Sequence, residues 1–187
     1  MKINLPNRLT LLRIAMIPVY VVLVSFAGLG WQIAAVAVFL AACITDLLDG
    51  KIARARNLVT DFGKFADPIA DKLLVMSCFV MLVYQERMPG WVCIIFLARE
   101  FIISGFRLIA AGSGKVISAG MLGKIKTNTQ MAAAVALMLL KPFGGMEPLL
   151  GNAGAIIADI LMYIACFMTV WSGTDYIWKN RSFISDM

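Results

Sequence analysis

The stretch Asp46-Leu47-Leu48-Asp49-Gly50-Lys51-Ile52-Ala53-Arg54 is followed, after a spacer of eight residues, by Gly63-Lys64-Phe65-Ala66-Asp67-Pro68-Ile69-Ala70-Asp71. Apolar runs flank it on both sides: residues 31–45 and 73–84 contain no charged side chain. On a helix, Asp46 and Asp49 are three residues apart and share a face, which Gly50 and Ala53 continue. Gly63, Asp67 and Asp71 are spaced by four, so they share a face on the next helix. The short spacer makes the two helices antiparallel neighbours, and facing both stripes inward gathers four carboxylates into one cleft.

Working outward, six segments supply the roughly 20 mainly apolar residues that a membrane span needs: residues 9–29, 31–53, 65–85, 91–111, 121–141 and 151–178. Turn chemistry separates them at Gly28-Leu29-Gly30, Arg87-Met88-Pro89-Gly90, Gly112-Ser113-Gly114 and Pro142-Phe143-Gly144-Gly145. Strands of a membrane barrel would alternate polar and apolar residues, and these segments do not. The fold class expected is an all-α integral membrane protein with six transmembrane helices. With no internal repeat or low-complexity tract, residues 1–187 read as a single membrane domain. The segment 4–13 mixes Leu5, Leu9 and Leu12 with Arg8 and Arg13. It reads equally as a short N-terminal amphipathic helix preceding the spans and as a plain cationic flank. The start reads as a retained first span, since the apolar run is too long for a signal peptide and lacks a small-residue cleavage site.

Composition agrees. The hydrophobic share is 61%, against roughly 45–50% in a soluble domain, and the mean hydropathy is +0.86. The net charge of +6 lies between the apolar spans. Anionic headgroups and phosphorylated substrates therefore suit it better than nucleic acid. Lysines and arginines crowd the start, the 51–64 loop, the surroundings of the fourth-to-fifth loop and the end, while the alternate loops hold only Arg87 and Lys141. Both termini and the four aspartates are thereby assigned to the cytoplasmic side.

The chain has no histidine, and its four cysteines (Cys43, Cys78, Cys93 and Cys166) form no ligand pattern. Zinc sites of the Cys/His kind and His-based triads are excluded, leaving hard, oxygen-ligated cations such as Mg²⁺ or Mn²⁺. Four close carboxylates repel one another and resist desolvation, and a pair of divalent cations neutralises all of them. The small residues Gly50, Ala53 and Gly63 let a ligand approach the backbone, and Arg54 offers a forked donor to phosphate. Single aspartates of this kind mostly cap helices or pair with surface lysines. Four, on two helical faces and interleaved with small residues, point to a metal and phosphate site. Gly112-Ser113-Gly114-Lys115 looks like the end of a phosphate loop, but Ile109 stands where the upstream glycine is required. Asp159, alone in the last span, is given no role.

Asp46 to Asp71 resembles the signature of the CDP-alcohol phosphatidyltransferases, D-x2-D-G-x2-A-R-x8-G-x3-D-x3-D, with every fixed position present. The resemblance implies a multi-pass enzyme of the bacterial inner membrane that moves a phosphatidyl group from a CDP-linked lipid to an alcohol and releases CMP. It implies two divalent cations held by Asp46, Asp49, Asp67 and Asp71, with Asp71 also the base toward the acceptor hydroxyl. It places Asp46, Asp49, Gly50, Ala53, Arg54 and Gly63 around the CDP moiety, and it makes a homodimer the expected assembly.

Arg99-Glu100-Phe101-Ile102-Ile103-Ser104-Gly105-Phe106-Arg107 and Gly123-Lys124-Ile125-Lys126-Thr127 resemble parts of the bacterial phosphatidylglycerophosphate synthases, whose acceptor is glycerol 3-phosphate. Pro6 to Arg13 also looks like their start. From the residues alone, Arg107, Lys124 and Lys126 lie at the cytoplasmic level of the aspartates. A cationic pocket there fits a phosphorylated acceptor; Lys124 and Lys126 read alternatively as positive-inside anchors. CDP-diacylglycerol and glycerol 3-phosphate are the substrates expected. The rivals are the same reaction on inositol phosphate or serine and, from another class, a divalent-cation transporter using the aspartates as a selectivity site.

Overall fold

The computed structural model describes the backbone of residues 5–55, 61–112, 120–147 and 149–181, and their side chains except at 5–6, 46–55 and 61–68. The described residues form six helices: α1 Leu5–Val24, α2 Leu29–Ala55, α3 Asp61–Tyr84, α4 Gly90–Gly112, α5 Met121–Leu140 and α6 Gly151–Lys179. Each matches one expected segment to within a few residues. The segment 4–13 is not a separate helix, because α1 runs unbroken from Leu5. Pro18 lies inside α1 without ending it.

The helices fall into two compact units. In the first, α1 packs on both α2 and α3, α2 packs on α3, and the segment Pro142–Glu147 joins them. Helix ends in an apolar medium must find partners for their free carbonyls within the protein. The α1–α2 turn shows how: the Gln32 amide donates to the Val24 and Phe26 carbonyls at 3.1 and 2.9 Å. The buried Gln85 amide, just past α3, donates to the same Val24 carbonyl. One terminal carbonyl thus gathers all three helices. Gly144 meets this turn with φ of +55°, and a Cβ there would lie 2.6 Å from that of Ala27, so both conformation and space require glycine.

In the second unit, α6 packs on α5 and on α4. Polar pairs tie it at several levels. Lys141 pairs with Asp159 at 2.7 Å and donates to the Arg87 carbonyl at 3.1 Å. The buried Gln130 amide donates to the Thr169 hydroxyl at 3.0 Å. Asp159 therefore serves as the counter-charge of Lys141.

The exposed surface is far more apolar than that of a water-soluble protein, around a core that is mostly apolar but includes several polar side chains. Asn7, Thr10, Arg13, Gln32, Arg87, Lys126 and Gln130 are buried, while Leu108, Ile94, Ile156, Phe167 and Trp178 are exposed. Large apolar surface outside and polar groups inside is the pattern of a chain whose solvent is lipid. By length and composition, α1 (Asn7–Val24) and α6 (Gly151–Lys179) qualify as spans, and the apolar part of α2 is Leu29–Thr45. The 29 residues of α6 cover about 43 Å, more than the ~30 Å hydrocarbon thickness. Helices α2 to α5 carry within their length the charged residues of the motif and of the cationic segment.

Candidate active site

The motif lies on helical backbone in both of its halves. Asp46, Asp49, Gly50, Ala53 and Arg54 belong to α2, and Gly63, Asp67 and Asp71 to α3. The side chains of all but Asp71 lie outside the described residues. Their register can still be read from the helices that carry them. The buried stripe of α2 runs through Gln32, Ala35, Phe39 and Ala42, and the same period continues through Asp46, Asp49 and Ala53. On α3 the buried stripe of Ala70, Leu74, Cys78 and Leu82 continues backward to Asp67 and Gly63. By spacing alone, these motif positions continue the period of the two buried stripes. Asp71 is the exception: its side chain is exposed, although Ala70 beside it is fully buried.

The donor set is chemically uniform. Four carboxylates and no imidazole or paired thiolate make a hard-oxygen site, which fits Mg²⁺ or Mn²⁺ and not a soft metal.

The cationic residues of the second unit are held in three different settings. Arg107 of α4 is half-buried; its Nε donates to the Tyr176 hydroxyl at 3.3 Å, and its guanidinium lies 5.4 Å from the centre of that ring. Lys124 of α5 is exposed. Lys126 is buried, and its ammonium is paired with Glu100 of α4, which also meets Arg99 at 3.3 Å. Two residues apart on one helix, Lys124 and Lys126 are turned about 200° from each other, which accounts for their different surroundings. The Arg99 side chain runs between two glycines: Gly123 of α5 near its Nη2 and Gly173 of α6 against its Cγ. A Cβ at Gly173 would approach that Cγ to 3.2 Å. Glu100 thus pairs with both Arg99 and Lys126.

The model of one protein family, CDP-alcohol phosphatidyltransferase, matches residues 3–171. The chain belongs to the CDP-alcohol phosphatidyltransferase family. It is therefore a transferase of phospholipid biosynthesis and a membrane protein, from a family that is generally dependent on divalent cations. A CDP-diacylglycerol–glycerol-3-phosphate 3-phosphatidyltransferase of Bacillus subtilis is 41% identical, with 95% of each chain covered. An enzyme of the same name from Shigella flexneri is 36% identical over the whole of both chains. A probable phosphatidylglycerophosphate synthase of Mycobacterium tuberculosis is 38% identical, covering 93% of this chain and 80% of its own. Membership removes the cation-transporter reading.

Sequence reasoning marked Pro6 to Arg13 by resemblance but gave its polar residues no role. Asn7, Thr10 and Arg13 of α1 lie three residues apart along one face and are 7%, 0% and 0% exposed. Polar residues at a helical period inside an apolar helix are the signal that would have marked them.

Proposed function

We propose that this chain transfers the phosphatidyl group of CDP-diacylglycerol to sn-glycerol 3-phosphate, giving phosphatidylglycerophosphate and CMP. The observation that carries the reading is the full-length similarity to enzymes named for that reaction, on a chain that retains every fixed position of the donor motif.

Asp46, Asp49, Asp67 and Asp71 would hold two divalent cations, Mg²⁺ or Mn²⁺. Bound there, the cations supply charge stabilisation to the pyrophosphate and to the departing CMP. Gly50, Ala53 and Gly63 leave room for the cytidine diphosphate, and Arg54 donates to its phosphate. Asp71 accepts the proton of the acceptor's primary hydroxyl. The freed oxygen attacks the lipid-linked phosphorus in line, forming one P–O bond as the bond to CMP breaks. The exposure of Asp71 supports its assignment as base. Arg107, Lys124 and Lys126 form the acceptor phosphate end, with Lys126 buffered by Glu100. In the proposed setting a single domain of six spans lies in the bacterial inner membrane as a homodimer, with both termini and the site on the cytoplasmic side. A soluble acceptor and a lipid donor can meet only at such an interface.

The test is purified protein with CDP-diacylglycerol, Mn²⁺ and competing acceptors. Glycerol 3-phosphate should be consumed in preference to serine or inositol phosphate, and Asp71→Asn should lose at least a hundredfold in kcat, within the range for general acid–base groups. Preference for another acceptor would refute the acceptor assignment, and wild-type turnover by Asp71→Asn would remove Asp71 as base.

A further inference from the structure

A cation meant for an anionic ligand has to be held in place without being neutralised. A carboxylate partner achieves the first and defeats the second. The second unit contains both arrangements. Arg99 and Lys126 share the carboxylate of Glu100. Arg107 of α4 instead meets Tyr176 of α6: its Nε donates to the phenol oxygen at 3.3 Å, and its guanidinium carbon lies 5.4 Å from the ring centre. Among the described residues this is the only hydrogen bond that Arg107 makes, and no carboxylate pairs with it. Asp175, the acidic neighbour of Tyr176, is turned about 100° around the helix and is paired with Lys179 at 2.9 Å.

Tyr176 is itself fixed from more than one side. It is the last residue in the buried stripe of α6, after Cys166, Thr169 and Gly173, and is buried. The ring of Phe106, next to Arg107 on α4, meets it edge-on, with centroids 5.8 Å apart and planes at 85°. About two turns back along α6, Thr169 accepts from the Gln130 amide of α5. The helix that carries Tyr176 is thus tied to both of its neighbours. For Arg107 the consequence is geometric. With its Nε–H committed to Tyr176, the two terminal nitrogens remain as a fork that suits a bidentate oxyanion. Because the phenol and the ring are neutral, the guanidinium keeps its full charge. Arg107 is half-buried, so it is not sealed from a soluble anion.

We infer that Tyr176 is a positioning residue for Arg107, its hydroxyl and ring holding the guanidinium so that the terminal fork takes the acceptor's phosphate at full charge. The inference rests on the reading of Arg107 as an acceptor-phosphate residue given above. It makes α6, which carries none of the cations of that pocket, a contributor to acceptor recognition. Packing needs the ring of Tyr176 and not its hydroxyl, so Tyr176→Phe separates the two roles.

The test is steady-state kinetics of the purified protein with CDP-diacylglycerol, Mn²⁺ and varied glycerol 3-phosphate. Tyr176→Phe should raise KM for glycerol 3-phosphate about three- to tenfold, the size expected of one hydrogen bond, while KM for CDP-diacylglycerol moves little. Arg107→Ala should raise it further. Adding Tyr176→Phe to Arg107→Ala should then have no additional effect, because the group being positioned is gone. An unchanged KM in Tyr176→Phe, a parallel rise in both KM values, or an equal effect with and without Arg107 overturns the positioning role. Should Arg107→Ala turn over too slowly to assay, stabilisation of the melting midpoint by glycerol 3-phosphate takes the place of KM, with the same outcomes required. Thermal melting also separates fold from function. Tyr176→Phe should melt close to the wild type, since water can replace the phenol at the half-buried Arg107. Tyr176→Leu, which also removes the ring beside Phe106, should melt lower. A Tyr176→Phe midpoint as low as that of Tyr176→Leu would make the hydroxyl a structural tie and overturn the inference. If Arg107→Ala keeps the wild-type KM, the acceptor reading of Arg107 fails and the inference with it. A raised KM in Arg107→Ala alone removes the inference and leaves that reading standing.

Discussion

Lys126 lies two residues from Lys124 in the sequence and in a different chemical setting in the fold. A positive-inside anchor would keep its ammonium in water. Lys126 instead buries it against Glu100, which is part-exposed and also touches Arg99. Removing one member of a buried pair leaves the other uncompensated. Glu100→Gln should therefore destabilise the protein by about 3 kcal/mol, the lower end for such pairs because Glu100 keeps some solvent. Replacing both members, as in Glu100→Leu with Lys126→Met, should restore most of that loss; thermal melting of the three variants checks it. The residue types were legible as a cationic cluster, but the pairing was not, because nothing in the spacing of 100 and 126 brings them together. Asp159 is a similar case: its partner Lys141 is 18 residues away, across the α5–α6 connection.

At the scale of elements, the helices follow from apolar runs broken by glycine and proline, and these were legible to within a few residues. The exception was the first segment, where charged and apolar residues alternate. As part of α1, it turns Asn7, Thr10 and Arg13 toward the protein and leaves Leu11 and Leu12 exposed. That is amphipathicity facing a bundle and not a membrane surface. The connection between α5 and α6 makes a sharper prediction. Gly144→Ala would impose a left-handed conformation, costing roughly 1–2 kcal/mol, and would also drive a Cβ into Ala27. Gly145, with φ of +83°, has open space around it. Gly144→Ala should therefore lower stability by clearly more than Gly145→Ala, and parallel denaturation of the two variants separates the clash from the backbone term.

For the whole molecule, the proposed six-span topology is tested at the two ends of α6. With α6 crossing the membrane, Glu147 and Lys179 flank it on opposite sides. In a background with the natural cysteines removed, Lys179→Cys should react with a membrane-impermeant thiol reagent only from the cytoplasmic side. Glu147→Cys should react only from the other. Labelling of both from one side would refute the six-span arrangement. Protein labelled at Lys179→Cys should still turn over substrate, since that position lies on the exposed end of α6.

The sequence by itself determined the helices, the lipid solvent and the donor chemistry. Each is carried by local spacing: apolar runs of span length, and aspartates three and four apart among small residues in the family's pattern. Tertiary structure alone decided which buried charges answer one another. Glu100 with Lys126 and Lys141 with Asp159 both depend on which helix lies beside which. The physical reason is the solvent. In lipid, every polar group left by one helix must be met by another, so partners are chosen by packing and not by distance along the chain.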